Sequence, residues 1–283
     1  MWPYPLIGNF VYLYGVMIAV GIVAAFIVLF LYSKKFNIQG SFTDFVFYNG
    51  ILSIVLGFGA AWVFQLVYDI IEDRSTWNVF VNALRAWWED PSKGFNYSGG
   101  ITFIGGLIGG VICFLLVYLL CRKRYTSKLV DVLSIVPCSI LIAHAFGRVG
   151  CFFAGCCYGK VTYGIFGMKF PHLAEPVHPT MLYEAIFLFV MFAICTFLLF
   201  KFKFKHNMSV YLITYGIFRF LVEYLRGDHR GEFVAGISPS QFWSILMVVA
   251  GIALWILLEK LSKKKQPTEE IEAEEKVPEI TEE

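Results

Sequence analysis

The chain has 283 residues, of which 58% are hydrophobic, 18% aromatic and 16% charged, and its formal net charge is +2. Soluble domains carry about 25% charged residues, so this composition excludes an ordinary water-soluble globule and indicates a membrane protein. The sequence contains no basic, aromatic-interleaved surface segment, and we therefore expect no nucleic-acid partner.

Apolar runs of about 20 residues, long enough to cross roughly 30 Å of hydrocarbon, predict the membrane spans. Seven such runs occur, at about 10–32, 45–71, 100–121, 129–150, 180–200, 208–225 and 240–259. The alternating ten-residue segments of a membrane β-barrel are absent. The sequence therefore predicts an all-α polytopic membrane protein with seven transmembrane helices, because a helix satisfies its own backbone hydrogen bonds in lipid.

Lysine and arginine are concentrated in alternate loops, thirteen in one set and seven in the other. The positive-inside rule then predicts an N-terminus outside and a C-terminus in the cytoplasm. Residues 266–283 hold eight acidic residues and one lysine, which is typical of a disordered cytoplasmic tail. We therefore predict a transmembrane domain over 1–265 followed by this acidic tail.

Polar residues and glycines inside the first, third and fourth spans indicate where a functional site could lie. The first span begins near Tyr14, and the third begins with SGGITFIGGLIGG, whose glycines allow helices to approach closely. In the fourth span His144 precedes Arg148 by four residues, so the two share a helix face. A charge inside a bilayer costs several kcal/mol and is retained for a partner or a task.

The fifth and sixth spans carry further charges. Glu184 ends the segment HPTMLYE at the start of the fifth span. In the sixth span Tyr215, Arg219 and Glu223 recur every four residues, and Arg226 follows them. By their positions along the helices, all these features fall in the outer half of the membrane, so we expect a site that opens to the outer leaflet.

Arg148 and Arg219 suit a phosphate group, because guanidinium offers a planar fork of donors and stays charged at all relevant pH. The phosphate within reach of such a site is a phospholipid headgroup. The alternative interpretation is that Arg219 and Glu223 form only an intrahelical ion pair and that Arg148 extends to the membrane interface.

Three cysteines follow Arg148 in GRVGCFFAGCCYG, residues 147–159. Their spacing, C-x4-C-C, matches no established zinc pattern, and the sequence assigns neither a metal nor a cofactor. For Cys151, Cys156 and Cys157, a disulfide, a metal site and simple burial all remain open.

Five motifs taken in order resemble those of the prolipoprotein diacylglyceryl transferase family of seven-helix bacterial membrane enzymes. They are YG at 14–15, GGITFIGGLIGG at 99–110, GRVGCFFAGCCYG, HPTMLYE and YGIFRFLVEYLRGD, and the resemblance covers about 5–260. It implies transfer of a diacylglyceryl group from phosphatidylglycerol to the lipobox cysteine thiol of a prolipoprotein. The product is a thioether and glycerol 1-phosphate leaves. The implied location is the bacterial cytoplasmic (inner) membrane, with no cofactor.

The resemblance and the spacing together give a set of predicted site residues. The predicted catalytic residues are Arg148, Arg219, His144, Glu223 and Tyr215. The predicted phospholipid-binding residues are Arg148, Arg219, Tyr14, Gly105, Gly106, Gly150, Glu184 and Arg226. In this interpretation the arginines stabilise charge on the departing glycerol phosphate, and another group takes the thiol proton.

The chain departs from the family pattern at four positions. The histidine that the family carries in its third span, often proposed as the base, is Ile104 here. The family's asparagine, acidic residue and glutamine become Cys151, Cys156 and Met181.

His144 is the predicted substitute base, because an imidazole titrates near neutral pH, and Glu223 and Tyr215 are its rivals. Two alternatives to the prolipoprotein transferase stay open. One is a related phospholipid-using transferase with another acceptor, and the other is a non-enzymatic phospholipid-binding membrane protein.

Overall fold

The computed structural model describes residues 12–93, 103–126, 129–227 and 237–274. Over these residues the secondary structure is helical, with isolated β-bridges and no strand, so the predicted all-α class is confirmed there. Short 3-10 turns occupy Pro91–Lys93 and Arg122–Arg124. The α-helices are α1 Leu13–Lys35, α2 Gly40–Glu72, α3 Ser75–Glu89, α4 Phe103–Cys121, α5 Leu129–Val132, α6 Val136–Ala154, α7 Thr180–Phe202, α8 Asn207–Glu223 and α9 Pro239–Glu274.

Within the described residues, five helical segments are long and apolar enough to cross a membrane, as expected for a polytopic membrane protein. They are Leu13–Lys35, Gly40–Ile71, Val136–Ala154, Thr180–Phe202 and Pro239–Leu261. The predicted third and sixth spans coincide with α4 and α8, of 19 and 17 residues. Residues 10–11 and 100–102 of the predicted spans lie outside the described residues. The count of seven spans and the orientation of the termini stay predictions.

The fourth predicted span differs in its boundaries. Residues 129–150 do not form one helix: α5 ends at Val132, and α6 begins at Val136 and continues to Ala154. Pro137 lies in the first turn of α6, the part of a helix that tolerates a residue without a backbone N–H. The proline therefore marks where the long helix begins.

The chain divides into two compact units, Gln39–Lys128 and the remainder of the chain. Inside the first unit α2 packs along α4. A Cβ atom added to Gly57 would lie 2.9 Å from the backbone oxygen of Gly106, so the two helices meet through backbone atoms. The predicted use of these glycines for close helix approach is confirmed. Asn49, also buried here, donates a hydrogen bond to the Phe114 carbonyl at 3.0 Å.

In the second unit α6 contacts α1, α7 and α8, and α9 packs against α8. Asn207 at the start of α8 is fully buried and donates to the carbonyls of Ser134 at 2.9 Å and Cys195 at 3.1 Å. This amide ties the start of α8 to the α5–α6 connection and to α7.

The helix α9 continues to Glu274, which includes the first part of the predicted tail 266–283. Residues 275–283 lie outside the described residues. The division into a transmembrane domain and an acidic tail stays a prediction.

Two glycines of α2 provide a matched test of the α2–α4 contact. Gly57→Ala places a methyl group against the α4 backbone and should lower the free energy of unfolding by about 1–3 kcal/mol. At Gly59 no described atom lies within 4 Å of an added Cβ. Gly59→Ala should therefore be neutral or stabilising by up to about 1 kcal/mol, since alanine is the better helix former. Thermal unfolding of the detergent-solubilised protein measures both, and equal effects would contradict the packing.

Candidate active site

Glu184 on α7 is a buried carboxylate, with 1% of its surface exposed. Its Oε1 atom lies 3.0 Å from Nη2 of Arg148 on α6. The same oxygen accepts a hydrogen bond from the Tyr215 hydroxyl on α8 at 2.6 Å. A buried carboxylate is strongly unfavourable unless it is paired and hydrogen-bonded, so this atom holds three helices in one arrangement.

His144 lies one turn before Arg148 and contacts the same tyrosine. Its Nε2 atom is 3.4 Å from the Tyr215 hydroxyl, and the two rings meet edge to face at 4.9 Å. The predicted shared face of His144 and Arg148 is therefore confirmed. The imidazole lies within electrostatic range of Arg148, Glu184 and Arg219, so both predicted arginines contribute to the potential at His144.

Arg219 is held by a second acid. Its Nη2 atom lies 2.8 Å from Glu223 Oε2 and donates to the Ser240 hydroxyl at 3.0 Å. Arg226 is buried, with Nε 4.0 Å from the same carboxylate. The intrahelical Arg219–Glu223 pair of the alternative interpretation is thus present, and it belongs to a larger network.

The start of α9 supplies two serines, Ser238 and Ser240, that were not among the residues predicted from the sequence. Ser238 caps the helix: its hydroxyl accepts the Gln241 N–H at 3.2 Å, and the Gln241 side chain accepts the Ser238 N–H at 3.1 Å. This reciprocal capping box, with Pro239 in the first helical position, is visible in the sequence as SPSQ. The capped turn directs the Ser238 hydroxyl to Glu223 at 3.0 Å and places Ser240 against Arg219.

The two guanidinium groups are not free cations. Each has a carboxylate partner within 3.0 Å, Glu184 for Arg148 and Glu223 for Arg219. Each nevertheless keeps one buried donor with no hydrogen-bond partner among the described residues, Nε of Arg148 and Nη1 of Arg219.

The remaining predicted binding residues lie at helix contacts. An added Cβ at Gly150 would lie 3.2 Å from the Tyr14 carbonyl oxygen, so this glycine lets α6 approach α1. Gly105 and Gly106 belong to the α2–α4 contact. The Ile104 side chain is outside the described part of the chain. A role for these residues in lipid binding stays a prediction.

The cysteine segment leaves α6 through two residues with left-handed backbone conformation, Gly155 at φ 67° and Cys157 at φ 64°. The Cys156 N–H donates to the Cys151 carbonyl at 3.2 Å, and Thr180 donates to the Cys157 carbonyl at 2.6 Å. All seven cysteines are free thiols, and the three sulfur atoms of Cys151, Cys156 and Cys157 lie within 4.8 Å of one another.

The thiols in this cluster titrate differently. Hydrogen bonds from the Cys151 and Cys156 thiols hold the pKa of Cys157 well below its usual range, and the positive charges of Arg226 and Arg148 act in the same direction. The pKa of Cys156 is raised by its hydrogen bonds to the other two thiols. Of Cys156 and Cys157, the thiol that ionises first is therefore Cys157.

A groove of about 840 Å³ lies beside the cysteines and is lined in part by Cys156, Cys157, Lys160 and His172. Its wall is fixed by backbone bonds from Gly159 to the His178 carbonyl and from Lys160 to the Leu225 carbonyl, both at 2.7 Å. Residues 159–160 therefore join the start of α7 to the end of α8. Neither Arg148 nor Arg219 lines this groove.

Comparison with known proteins agrees with the motifs. The sequence profile of the family described as prolipoprotein diacylglyceryl transferase matches residues 6–257. The chain belongs to this family. The phosphatidylglycerol–prolipoprotein diacylglyceryl transferase of Clostridium tetani is 36% identical over 259 residues, which cover 88% of this chain and 94% of that protein. The enzyme numbered 2 from Clostridium perfringens is 34% identical over 269 residues, 92% of this chain and 95% of that protein.

A third relative, from Finegoldia magna, carries the same transferase name and is 31% identical over 260 residues, covering 87% of this chain and 91% of that protein. The predicted family is therefore confirmed over nearly the whole transmembrane part. The roles of individual residues within the family site stay predictions.

Two tyrosines on α8 test the network around Glu184. Tyr215→Phe removes a hydrogen bond to a buried carboxylate and should lower the free energy of unfolding by about 1–3 kcal/mol. Tyr211 is also buried, stacks on Tyr215 with ring centroids 5.8 Å apart, and has no hydroxyl partner among the described residues. Tyr211→Phe should change stability by less than about 0.5 kcal/mol. Chemical unfolding followed by fluorescence measures both, and a larger loss at Tyr211 would contradict the network.

Proposed function

We propose that the protein transfers the diacylglyceryl group of phosphatidylglycerol to the cysteine thiol of a prolipoprotein lipobox. A thioether forms and glycerol 1-phosphate leaves. The names of the relatives give the donor lipid and the protein acceptor. The observation on which the proposal depends is the pair of buried, unpartnered guanidinium donors that act on one region.

The phosphate of the donor lipid binds to Arg148 and Arg219. A buried donor left without a partner costs about 1–3 kcal/mol, and a phosphate oxygen relieves this cost at both arginines. Charge grows on the glycerol phosphate as its bond to the diacylglyceryl carbon breaks. Two guanidinium groups already in place stabilise that charge without further reorganisation.

Glu184 and Glu223 position these arginines rather than contacting the lipid. A carboxylate beside a phosphate is repulsive, but one behind each guanidinium fixes its direction and compensates its charge before the lipid arrives. The Ser240 hydroxyl accepts a hydrogen bond from the same Nη2 atom of Arg219 that contacts Glu223. Arg226, near Glu223, adds positive charge to the same end of α8.

His144 acts as a positioning residue. The Tyr215 hydroxyl has one proton, which it donates to Glu184, so the contact with His144 requires Nε2 to carry a hydrogen and donate. A ring nitrogen that donates this bond does not accept a proton from a thiol at the same time.

The site faces the outer leaflet of the bacterial cytoplasmic membrane. The surplus of basic residues in alternate loops supports an N-terminus outside and a C-terminus in the cytoplasm, and five apolar helices support a multi-pass arrangement. The arrangement has seven spans if α4 and α8 also cross the membrane. Lipid and signal peptide both reach such a site from within the bilayer.

Replacing either arginine tests the proposal directly. Arg148→Ala and Arg219→Ala should each lower kcat/KM about 100- to 1,000-fold, because each removes a group that stabilises the leaving phosphate. The assay incubates purified protein with phosphatidylglycerol and a lipobox peptide and measures peptide lipidation and glycerol phosphate release. Arg85→Ala, in the exposed part of α3, is the control and should leave both products unchanged.

Measuring peptide lipidation and glycerol phosphate release separately distinguishes the competing functions. Release of glycerol phosphate without peptide lipidation would show a transferase with another acceptor. Absence of both products in wild-type protein, with several phospholipids tested, would contradict an enzymatic role.

Two substitutions at His144 separate positioning from proton transfer. His144→Gln keeps an N–H donor for Tyr215 and should retain kcat/KM within about threefold, with an unchanged pH profile. His144→Leu removes the donor and should lower kcat/KM about tenfold, equivalent to about 1.4 kcal/mol. A loss of 100-fold or more in both variants would instead identify His144 as the base, since general base catalysis contributes about 10²–10⁴-fold.

A further inference from the structure

We propose that Cys151, Cys156 and Cys157 bind one thiophilic metal ion of the zinc class, with its fourth coordination position open to the groove. The spacing of these cysteines predicts no metal, and the reason to propose one is the tertiary arrangement of their sulfur atoms.

The three sulfur atoms are close enough to share one ion. They lie within 4.8 Å of one another. Tetrahedral zinc bound at about 2.3 Å from each sulfur requires sulfur atoms roughly 3.8 Å apart. Three soft sulfur ligands and no carboxylate favour zinc or a similarly thiophilic ion over magnesium or calcium.

The backbone of the segment is arranged to make the sulfurs converge. Cys157 has φ 64°, a left-handed conformation that costs a non-glycine residue about 1–2 kcal/mol. Thr180 holds this conformation through its 2.6 Å hydrogen bond to the Cys157 carbonyl, and the Cys156 N–H bonds back to Cys151. Cysteines that served only as small apolar packing residues would need neither this conformation nor this convergence.

Two arginines contribute positive potential at the cluster. Arg148 and Arg226 both act electrostatically on Cys157, and the Tyr14 phenol lies within electrostatic range of all three thiols. Three thiolates with one divalent ion carry a net negative charge, and the positive potential of both arginines at Cys157 favours such a charge. The site is therefore electrostatically suited to an anionic metal–thiolate group.

The groove leaves a place for a fourth ligand. Cys156 is exposed, and both Cys156 and Cys157 line the groove of about 840 Å³. Three protein ligands with an open position are typical of catalytic zinc sites, whereas structural sites have four.

The identity of the fourth ligand rests on the proposed function: it is the acceptor thiol. On binding, this thiol releases its proton to water and becomes a thiolate. Its sulfur then forms a bond to the diacylglyceryl carbon, the carbon–oxygen bond to phosphate breaks, and the electron pair leaves with glycerol 1-phosphate. The metal would supply the thiol activation that Ile104 does not.

Metal analysis of the purified protein tests the site without any activity measurement. Protein purified in detergent with a phosphine reductant and no chelator should contain one zinc ion per chain. The combined variant Cys151→Ser, Cys156→Ser and Cys157→Ser should contain none. Cys113→Ser and Cys121→Ser, which alter thiols of the other unit, are the controls and should keep the metal. Thermal unfolding of every variant shows whether it has folded.

Cobalt replacement gives a second measurement on folded wild-type protein. Co²⁺ should produce the sulfur-to-cobalt charge-transfer absorption of thiolate ligands together with intense visible bands of tetrahedral cobalt. Absence of these bands, or a zinc content that the triple substitution leaves unchanged, would overturn the site. A disulfide among the three cysteines, detected by mass spectrometry after blocking free thiols, would overturn it as well.

The acceptor thiol is tested on the cobalt form with two peptides. A lipobox peptide should shift the charge-transfer absorption, and the same peptide with serine in place of cysteine should not. An unchanged spectrum would overturn the acceptor as fourth ligand while the metal site stands. Full peptide lipidation by zinc-free protein would overturn the catalytic use of the metal and leave the transferase function intact.

Discussion

The second unit is organised by the single buried carboxylate of Glu184. Burying this charge between helices is unfavourable unless cationic and hydrogen-bonding partners reach it, and Arg148 and Tyr215 reach the same oxygen from two other helices. Because the buried charge of Glu184 must be compensated, its contacts fix how α6, α7 and α8 meet. It also fixes which guanidinium donor of Arg148 is used internally and which, Nε, has no partner among the described residues.

The backbone segment between α6 and α7 is also held to these helices by hydrogen bonds. Residues 159–160 bond to the start of α7 and the end of α8, and the turn at 155–157 leaves α6 directly after the arginine-bearing face. A charged network and a thiol cluster are thereby attached to the same three helices. Under the proposed function, the groups that would bind the lipid phosphate and those that would bind the acceptor sulfur are both attached to ends of these helices.

Two departures from the family pattern, Met181 and Cys151, lie in the same apolar environment. Met181 is fully buried with Phe170 and Val177 in an apolar cluster, against which Cys151 packs. A glutamine amide there would need hydrogen-bond partners that these residues do not supply. The substitutions therefore form a coherent set: polar family positions become apolar or sulfur-containing. The arginine network, by contrast, keeps the residues of the family motifs.

From the sequence alone, composition and apolar run length determined the helical membrane class, and five ordered motifs determined the family. Helical spacing also placed His144 with Arg148 and Arg219 with Glu223, because residues four apart share a face whatever surrounds the helix. Only the tertiary structure decided that Glu184 joins Arg148 to Tyr215, that serines of α9 hold Arg219 and Glu223, and that three cysteines converge. These contacts join different helices or depend on a left-handed turn, and spacing along one helix carries no information about either.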